Sequence, residues 1–140
     1  MMLRLRHPNI LTTLGLVSDG SERHAILMEL MPQSLSSLLR SDKDLSWGDP
    51  FTAIALQVAR GMAYMHARDV IHGDLKPGNV LLGHPPLYQV KLCDFGEARS
   101  INQAPGDVNA PTNMDWGRKG DLFGFGGLLV HLERREPPFT

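Results

Sequence analysis

The sequence predicts an α+β fold in which a pair of strands precedes a mostly helical region. Two apolar runs, 10–17 and 24–28, flank a stretch of small polar residues at 18–21, a pattern typical of two strands joined by a turn. Between Phe51 and Met65 the apolar residues recur three and four positions apart, which predicts an amphipathic helix. Strands and helices that occupy separate parts of a chain are the mark of an α+β domain.

Further elements follow from similar patterns. Asp49 and Pro50, a capping carboxylate and a proline at the first turn, predict the start of the amphipathic helix, which runs to about Ala67. A last helix is predicted over 119–133, and because it is apolar nearly all round we expect it to be buried. The remaining predictions are a short helix over Ser34–Arg40 and buried strands over Val80–Leu82 and Val90–Cys93.

Composition restricts the function classes. The chain has 140 residues, enough for one domain with a modest core, and a net charge of −1, which argues against nucleic acid or an anionic membrane as partner. Its single cysteine, Cys93, excludes an internal disulfide and fits a reducing compartment. No run of 18 or more apolar residues occurs, so we expect a cytoplasmic protein; the oligomeric state is not indicated.

The loop over 71–79 contains several side chains that could take part in catalysis or bind a ligand. Asp74 could accept a proton, Lys76 could hold a phosphate, and Asn79 could ligate a hard cation through its side-chain oxygen. Pro77-Gly78 excludes a regular helix here, so these groups lie on a shaped loop. A second carboxylate, Asp94, follows the next apolar strand. Together these groups are the parts needed for magnesium-dependent phosphoryl transfer.

Two segments carry a resemblance to a known family. The loop His72-Gly73-Asp74-Leu75-Lys76-Pro77-Gly78-Asn79 resembles the H-R-D-L-x-x-x-N catalytic loop of protein kinases, and Asp94-Phe95-Gly96 matches their D-F-G motif. The sequence Leu75-Lys76-Pro77 within this loop is similar to that of the serine/threonine branch of the family. One departure is Gly73, which stands where the family has arginine.

The resemblance implies a partial protein-kinase-like fold. It consists of two strands of the small lobe and the helical core of the large lobe, helices D, E and F, with the catalytic and activation loops. The implied divisions are a small-lobe remnant at 1–28, a hinge at 29–32 and a truncated large lobe at 33–140. The glycine-rich loop and the strand-3 lysine have no counterpart in the sequence, and the C-terminal helices of the family are expected to be absent as well.

The resemblance also assigns roles around the catalytic loop, with ATP and Mg²⁺ as cofactors. Asp74 would orient the substrate hydroxyl and accept its proton, while Lys76 would steady the transferred phosphoryl group as a point charge. Asn79 and Asp94 would hold magnesium. His72 would be structural and stack beneath the D-F-G phenylalanine.

The nucleotide would lie against the hinge. The backbone carbonyl of Glu29 and the backbone groups of Met31 would face the adenine, Leu81 would form the floor beneath it, and Met28 would be the gatekeeper. The residues themselves leave plainer alternatives open: Asp74 could satisfy backbone amides, and Leu81 could be an ordinary core leucine. Asp121 could bond the amides of the catalytic loop, cap a helix, or do both.

The segment after D-F-G is expected to be a loop over 97–116, because small and polar residues dominate it. It resembles a shortened activation segment in which Ala110-Pro111-Thr112 stands for the A-P-E motif without its glutamate. With Gly73 in place of arginine, the pairing of that side chain with a phosphorylated activation loop is excluded.

The function implied is that of a serine/threonine protein kinase, which transfers the ATP γ-phosphate to Ser/Thr hydroxyls of a protein substrate. The alternative is a catalytically impaired pseudokinase or remnant that acts as a nucleotide- or protein-binding module. Because the glycine-rich loop and its lysine partner are missing from these 140 residues, we expect this chain alone to transfer phosphate poorly or not at all.

Overall fold

A computed structural model describes residues 4–21, 23–41, 50–100 and 113–134. Within these ranges the chain has seven strands and three α-helices, which confirms the α+β class. The strands are β1 (Thr13–Ser18), β2 (His24–Met28), β3 (Gln33–Ser34), β4 (Val70–Ile71), β5 (Val80–Leu82), β6 (Val90–Leu92) and β7 (Arg99–Ser100). The helices are α1 (Leu35–Ser41), α2 (Phe51–His66) and α3 (Asn113–Arg134).

The strands form three small antiparallel groups. β1 pairs with β2, β5 lies between β3 and β6, and β4 pairs with β7. The prediction that the first strand begins at Ile10 was wrong, because residues 9–11 pair elsewhere. The Leu11 amide donates to the Leu92 carbonyl, and the Leu92 amide donates to the Asn9 carbonyl, both at 2.9 Å. The segment before β1 is thereby tied to β6.

The short helix α1 begins one residue later than predicted, at Leu35. The cause is visible at Ser34, whose hydroxyl accepts the amide hydrogen of Ser37 at 3.1 Å. This is the bond of a serine at the N-cap position, just outside the first helical residue.

Helix α2 carries the largest part of the core. The whole predicted stripe is buried: Phe51, Ile54, Ala55, Val58, Met62 and Met65. The start differs slightly from the prediction, because Pro50 occupies the cap position and not the first turn. The proposed cap Asp49 lies outside the described residues.

Helix α3 departs most from its prediction. It begins at Asn113, so residues 113–116 are helical and not part of a loop. Tertiary contacts support this early part: Nη2 of Arg118 donates to the carbonyl of His66 at 3.0 Å and to the carboxylate of Asp69 at 2.8 Å. Ala110-Pro111-Thr112, the expected A-P-E counterpart, lies outside the described residues.

The predicted all-round burial of α3 was also wrong. Leu128 and Leu132 are buried, but Leu122 and Phe123 are 58% and 67% exposed. Among the described elements α3 packs against α2 and β4, which cover one side of the helix. In the part of the chain that the structure describes, no helix has the length and apolar character that a bilayer-spanning segment needs.

Candidate active site

The catalytic loop brings three predicted site residues into direct contact. Nζ of Lys76 lies 2.8 Å from Oδ2 of Asp74. The side-chain amide of Asn79 donates to the backbone carbonyl of Asp74 at 2.8 Å and to its Oδ2 at 3.0 Å. A carboxylate, an ammonium and an amide thus form one hydrogen-bonded cluster in the loop.

A short 3₁₀ helix, Pro77–Asn79, gives the cluster its geometry. The backbone amide of Asn79 donates to the carbonyl of Lys76 at 2.9 Å. This tight turn brings the buried Asn79 side chain back toward Asp74. Because the side-chain nitrogen of Asn79 donates to Asp74, the side-chain oxygen is the atom that can bind a cation. Strand β5 follows at once and ties this end of the loop to the sheet.

Electrostatics keep the cluster charged. The hydrogen bond from Lys76 is the main cause that lowers the pKa of Asp74, and the bond from Asn79 adds to it. In turn the Asp74 carboxylate raises the pKa of Lys76. At neutral pH the Asp74 carboxylate is therefore ionised and able to accept a hydrogen bond from a hydroxyl group.

Asp121 of α3 anchors the start of the loop. Its Oδ2 accepts the backbone amide of His72 and its Oδ1 accepts that of Gly73, both at 2.9 Å. Oδ2 also accepts Nε2–H of His66 at 2.8 Å. The predicted bonds from Asp121 to the catalytic-loop amides are confirmed. The helix-cap alternative is excluded because α3 begins well before Asp121, at Asn113.

These hydrogen bonds also set the charge of Asp121. Burial raises its pKa, but the bonds from His66 and from the amides of Gly73 and His72 outweigh this and leave the pKa below its usual value. The nearly fully buried carboxylate is therefore ionised at neutral pH and satisfied by three donors.

His72 is held on both ring nitrogens. Nε2 donates to the carbonyl of Cys93 at 2.9 Å, and Nδ1 accepts the amide of Asp74 at 3.2 Å. Its ring lies 5.3 Å from that of Phe95, centroid to centroid, and is inclined at 50°. The predicted contact with the D-F-G phenylalanine is confirmed, although the two rings are tilted and not stacked, and the buried imidazole positions the loop.

Asp94 lies two residues after the end of β6. The amide of Cys93 donates to the carbonyl of Asn79 at 3.0 Å, so Asp94 follows directly after a residue bonded to the catalytic loop. Asp94 has a φ of +60°, and its Oδ1 accepts the Gly96 amide at 3.3 Å. Among the described residues no three His, Cys, Asp or Glu side chains cluster as a metal cage. Asn79 and Asp94 would be the two protein ligands of a more open site.

The predicted hinge residues follow β2. The side chain of Glu29 accepts the Thr12 amide at 2.6 Å and lies 3.1 Å from Nζ of Lys91, so it joins the segment just before β1 to β6. Burial raises the pKa of Glu29, but the bonds from Thr12 and Lys91 outweigh it, and the pKa is lowered. Met31 is half-buried in the link between β2 and β3. Met28, the expected gatekeeper, ends β2 and is partly exposed, 44%.

Leu81 lies at the centre of the three-stranded sheet. It pairs with Ser34 of β3 and Lys91 of β6, and its side chain is half-buried. The structure thus places Asp74, Lys76, Asn79 and Asp94 around one loop. Glu29 and Met31 lie between β2 and β3, in the stretch predicted to be the hinge, and Leu81 lies in β5.

Two contacts of the site were missed from the sequence. The ion pair between Glu29 and the buried Lys91 joins residues far apart in the chain, and so does the bond between His66 and Asp121. A lysine inside an otherwise apolar strand was the one available signal, because buried lysines are paired. Nothing local marked His66, which ends α2 as an ordinary helix-terminal basic residue.

Comparison with known sequences agrees with the resemblance carried by the catalytic loop and the D-F-G motif. The family model "Protein kinase domain" matches residues 1–140. The chain belongs to the protein kinase family. A probable receptor-like protein kinase of Arabidopsis thaliana is 33% identical, over all of this chain and 48% of its own length. Serine/threonine-protein kinase VIK of the same plant is also 33% identical, over all of this chain and 36% of its own length.

Solved structures show the same fold. The crystal structure of the Rad53 kinase domain and SCD2 matches with a TM-score of 0.82 at 24% identity, over 99% of this chain and 51% of that one. The chain thus spans about half of this solved structure, and half or less of the two relatives. Proteins of this family use ATP and Mg²⁺.

Proposed function

We propose that this chain carries the phosphotransfer site of a serine/threonine protein kinase. The reaction moves the γ-phosphoryl group of ATP to a serine or threonine hydroxyl of a protein. The hydroxyl oxygen forms a bond to the γ-phosphorus, the bond to the β,γ-bridging oxygen breaks, and ADP leaves. The observation that supports this most is the ionised Asp74 carboxylate, held by Lys76 and Asn79 on a loop that Asp121 anchors.

Asp74 and Lys76 have different roles at the transferred phosphoryl group. Asp74 orients the attacking hydroxyl and accepts its proton, a role that needs an ionised and accessible carboxylate. Lys76 is exposed and its raised pKa keeps it charged, so it can turn from Asp74 to the phosphoryl oxygens. The ion pair between Asp74 and Lys76 is a surface contact that contributes little to stability, so a bound substrate can replace it.

The donor set near Asp94 suits magnesium. The side-chain oxygen of Asn79 and the carboxylate of Asp94 are hard oxygen ligands on neighbouring backbone segments, and Mg²⁺ is commonly bound by one or two such groups together with substrate phosphates. When bound, the ion supplies positive charge to the phosphates.

The nucleotide base is assigned to the hinge and the sheet beside it. Backbone groups of Glu29 and Met31 would take the adenine edge, and Leu81 would lie beneath its face. In this assignment residues 1–28 belong to the small lobe, 29–32 to the hinge and 33–140 to the large lobe. The ion pair between Glu29 and Lys91 supports it, because it holds the hinge against the strand that leads to Asp94.

Protein phosphorylation by the purified chain tests the proposal. With γ-labelled ATP, Mg²⁺ and a generic protein substrate, we expect label on serine and threonine, reduced about 10²–10⁴-fold in Asp74→Asn. Asp19→Asn, an exposed carboxylate in the β1–β2 turn, is the matched control and retains the wild-type rate. Equal incorporation by the wild type and Asp74→Asn would overturn the role of Asp74.

Nucleotide binding is tested separately by melting with and without millimolar Mg-ATP. A magnesium-dependent rise in Tm supports the assigned nucleotide site. Absence of both the rise and the label contradicts the proposal for this chain. Binding without transfer would match the non-catalytic alternative, which no described observation favours.

A further inference from the structure

A cleft of about 630 Å³ opens beside the catalytic loop, on the side of α3. Its lining includes Asp74 and Lys76, Ser36 of α1, and Phe123 and His131 of α3. The carboxylate proposed to receive the hydroxyl proton therefore lies in its wall. A peptide whose serine reaches Asp74 would have to place its neighbouring residues in or along this cleft.

The charge of the described cleft lining disfavours basic side chains. Among the described lining residues, Asp74 is the only carboxylate, and it is already paired with Lys76 at 2.8 Å. An arginine or lysine of a substrate would find no second anion there and would approach the exposed ammonium of Lys76. Burial lowers the pKa of His131, so this residue is uncharged at neutral pH and adds neither sign.

The rest of the surface is apolar or small. Phe123 is 67% exposed, and Leu75, Pro77 and Leu128 also line the cleft. At Gly124 a Cβ would come within 2.9 Å of the Leu75 carbonyl oxygen, so α3 approaches the catalytic loop closely. The room for a ligand lies elsewhere in the cleft, because a Cβ at Gly78 or Gly120 would meet nothing within 4 Å and the exposed Phe123 ring offers apolar area.

We propose that this cleft binds the peptide segment flanking the phosphoacceptor serine or threonine and selects uncharged, apolar side chains over arginine or lysine. The inference rests on the proposed kinase function, because that function supplies a peptide as the occupant. Continuity with Asp74 supports a peptide as the occupant, and the lack of a second carboxylate among the described lining residues supports the preference for uncharged side chains.

Binding can be measured without ATP, so the test does not depend on catalysis. Three labelled peptides share one serine in an alanine background and carry leucine, arginine or glutamate at the flanking positions. Titration into ¹⁵N-labelled chain is followed by the glycine amide signals. We expect the signals of Gly78, Gly120 and Gly124 to move, those of Gly15 and Gly20 to stay, and the leucine peptide to bind about tenfold tighter than the arginine peptide.

Two variants add the missing anion. A Cβ at Gly120 or Gly78 meets nothing within 4 Å, so Gly120→Glu and Gly78→Glu place a carboxylate in the cleft without a clash. Both should reverse the preference in favour of the arginine peptide. Gly126→Glu is the matched control, because Gly126 lies on the same helix as Gly120, has equally open space and does not line the cleft.

The outcomes separate the two proposals. Tighter binding of the arginine or glutamate peptide by the wild type, absence of binding by all three, or an equal effect of Gly126→Glu would overturn the cleft inference. Peptide binding as expected with no phosphate transfer would retain the cleft and reject the proposed catalytic function. Phosphate transfer without a change in the signals of the cleft glycines would retain the proposed catalytic function and reject the cleft inference.

Discussion

Oδ1 of Asp121 accepts a hydrogen bond of 2.9 Å from the amide of Gly73, 48 residues earlier in the chain. The second oxygen of the same carboxylate holds the amide of His72. Two consecutive backbone donors of the catalytic loop are thus satisfied by one side chain of α3. The loop conformation that presents Asp74 therefore depends on a helix distant in sequence.

Asp121→Ala should uncouple the loop from α3. The change leaves the amide of buried His72 and the Nε2–H of His66 without their acceptor, and we expect the free energy of unfolding to fall by about 2–5 kcal/mol. Urea denaturation measures this. Hydrogen exchange at His72 and Gly73 should accelerate as well. Glu133→Ala, an exposed position on the same helix, is the control, and a similar loss there would contradict the account.

Acid should weaken the same anchor. Because the folded pKa of Asp121 lies below its unfolded value of about 3.9, its contribution is present above that value and lost as the pH falls through the folded pKa. We expect the free energy of unfolding to decline as the pH falls below about 5, less steeply in Asp121→Asn. Asp74 and Glu29 also have lowered pKa values, so part of the slope stays. Identical slopes would show that Asp121 does not contribute.

Gly73 should resist replacement by any residue with a side chain. Its φ is +83°, and a Cβ would lie 2.8 Å from the carbonyl oxygen of Glu97. Gly20 has the same φ but open space around it, so Gly20→Ala measures the cost of the backbone conformation alone, about 1–2 kcal/mol. Gly73→Ala should lose more than Gly20→Ala in urea denaturation. An equal loss would mean that the contact with Glu97 relaxes freely.

The parts of the site that the sequence predicted are local in the chain. The cluster of Asp74, Lys76 and Asn79 falls within six positions, and Pro77 determines the tight turn that assembles it. The buried face of α2 could be predicted equally well, because helical periodicity shows which side of a helix faces the core. Short-range patterns carry this information without knowledge of the partner.

The parts that were missed depend on approach between distant segments. α3 begins early because Arg118 reaches His66 and Asp69, a contact that glycine-rich helix propensity does not reveal. Its exposed face at Leu122 and Phe123 depends on which elements cover the helix, and hydrophobicity alone predicted burial. The cleft lined by residues of α1, the catalytic loop and α3 has no signature in any one of them.

Gly61 and Gly126 make a last pair of matched helical positions. Replacing glycine by alanine inside a helix ordinarily stabilises by about 1 kcal/mol, and Gly126→Ala should show this because nothing lies within 4 Å of its Cβ. At Gly61 the Cβ would lie 2.9 Å from Cδ1 of buried Leu92 and 3.0 Å from the carbonyl oxygen of Asn9. Overpacking costs about 1–3 kcal/mol, so Gly61→Ala should be destabilised or at best neutral.

Thermal and urea denaturation of the two variants decide between propensity and packing. Opposite signs of the change in the free energy of unfolding support a close approach of α2 to β6 and the segment before β1. Gly61→Ser, which adds an oxygen to the same Cβ, should lose more than Gly61→Ala. If Gly61→Ala were stabilised as much as Gly126→Ala, Leu92 and Asn9 would have to move apart readily, and the strand that leads to Asp94 would be less rigidly held than these contacts indicate.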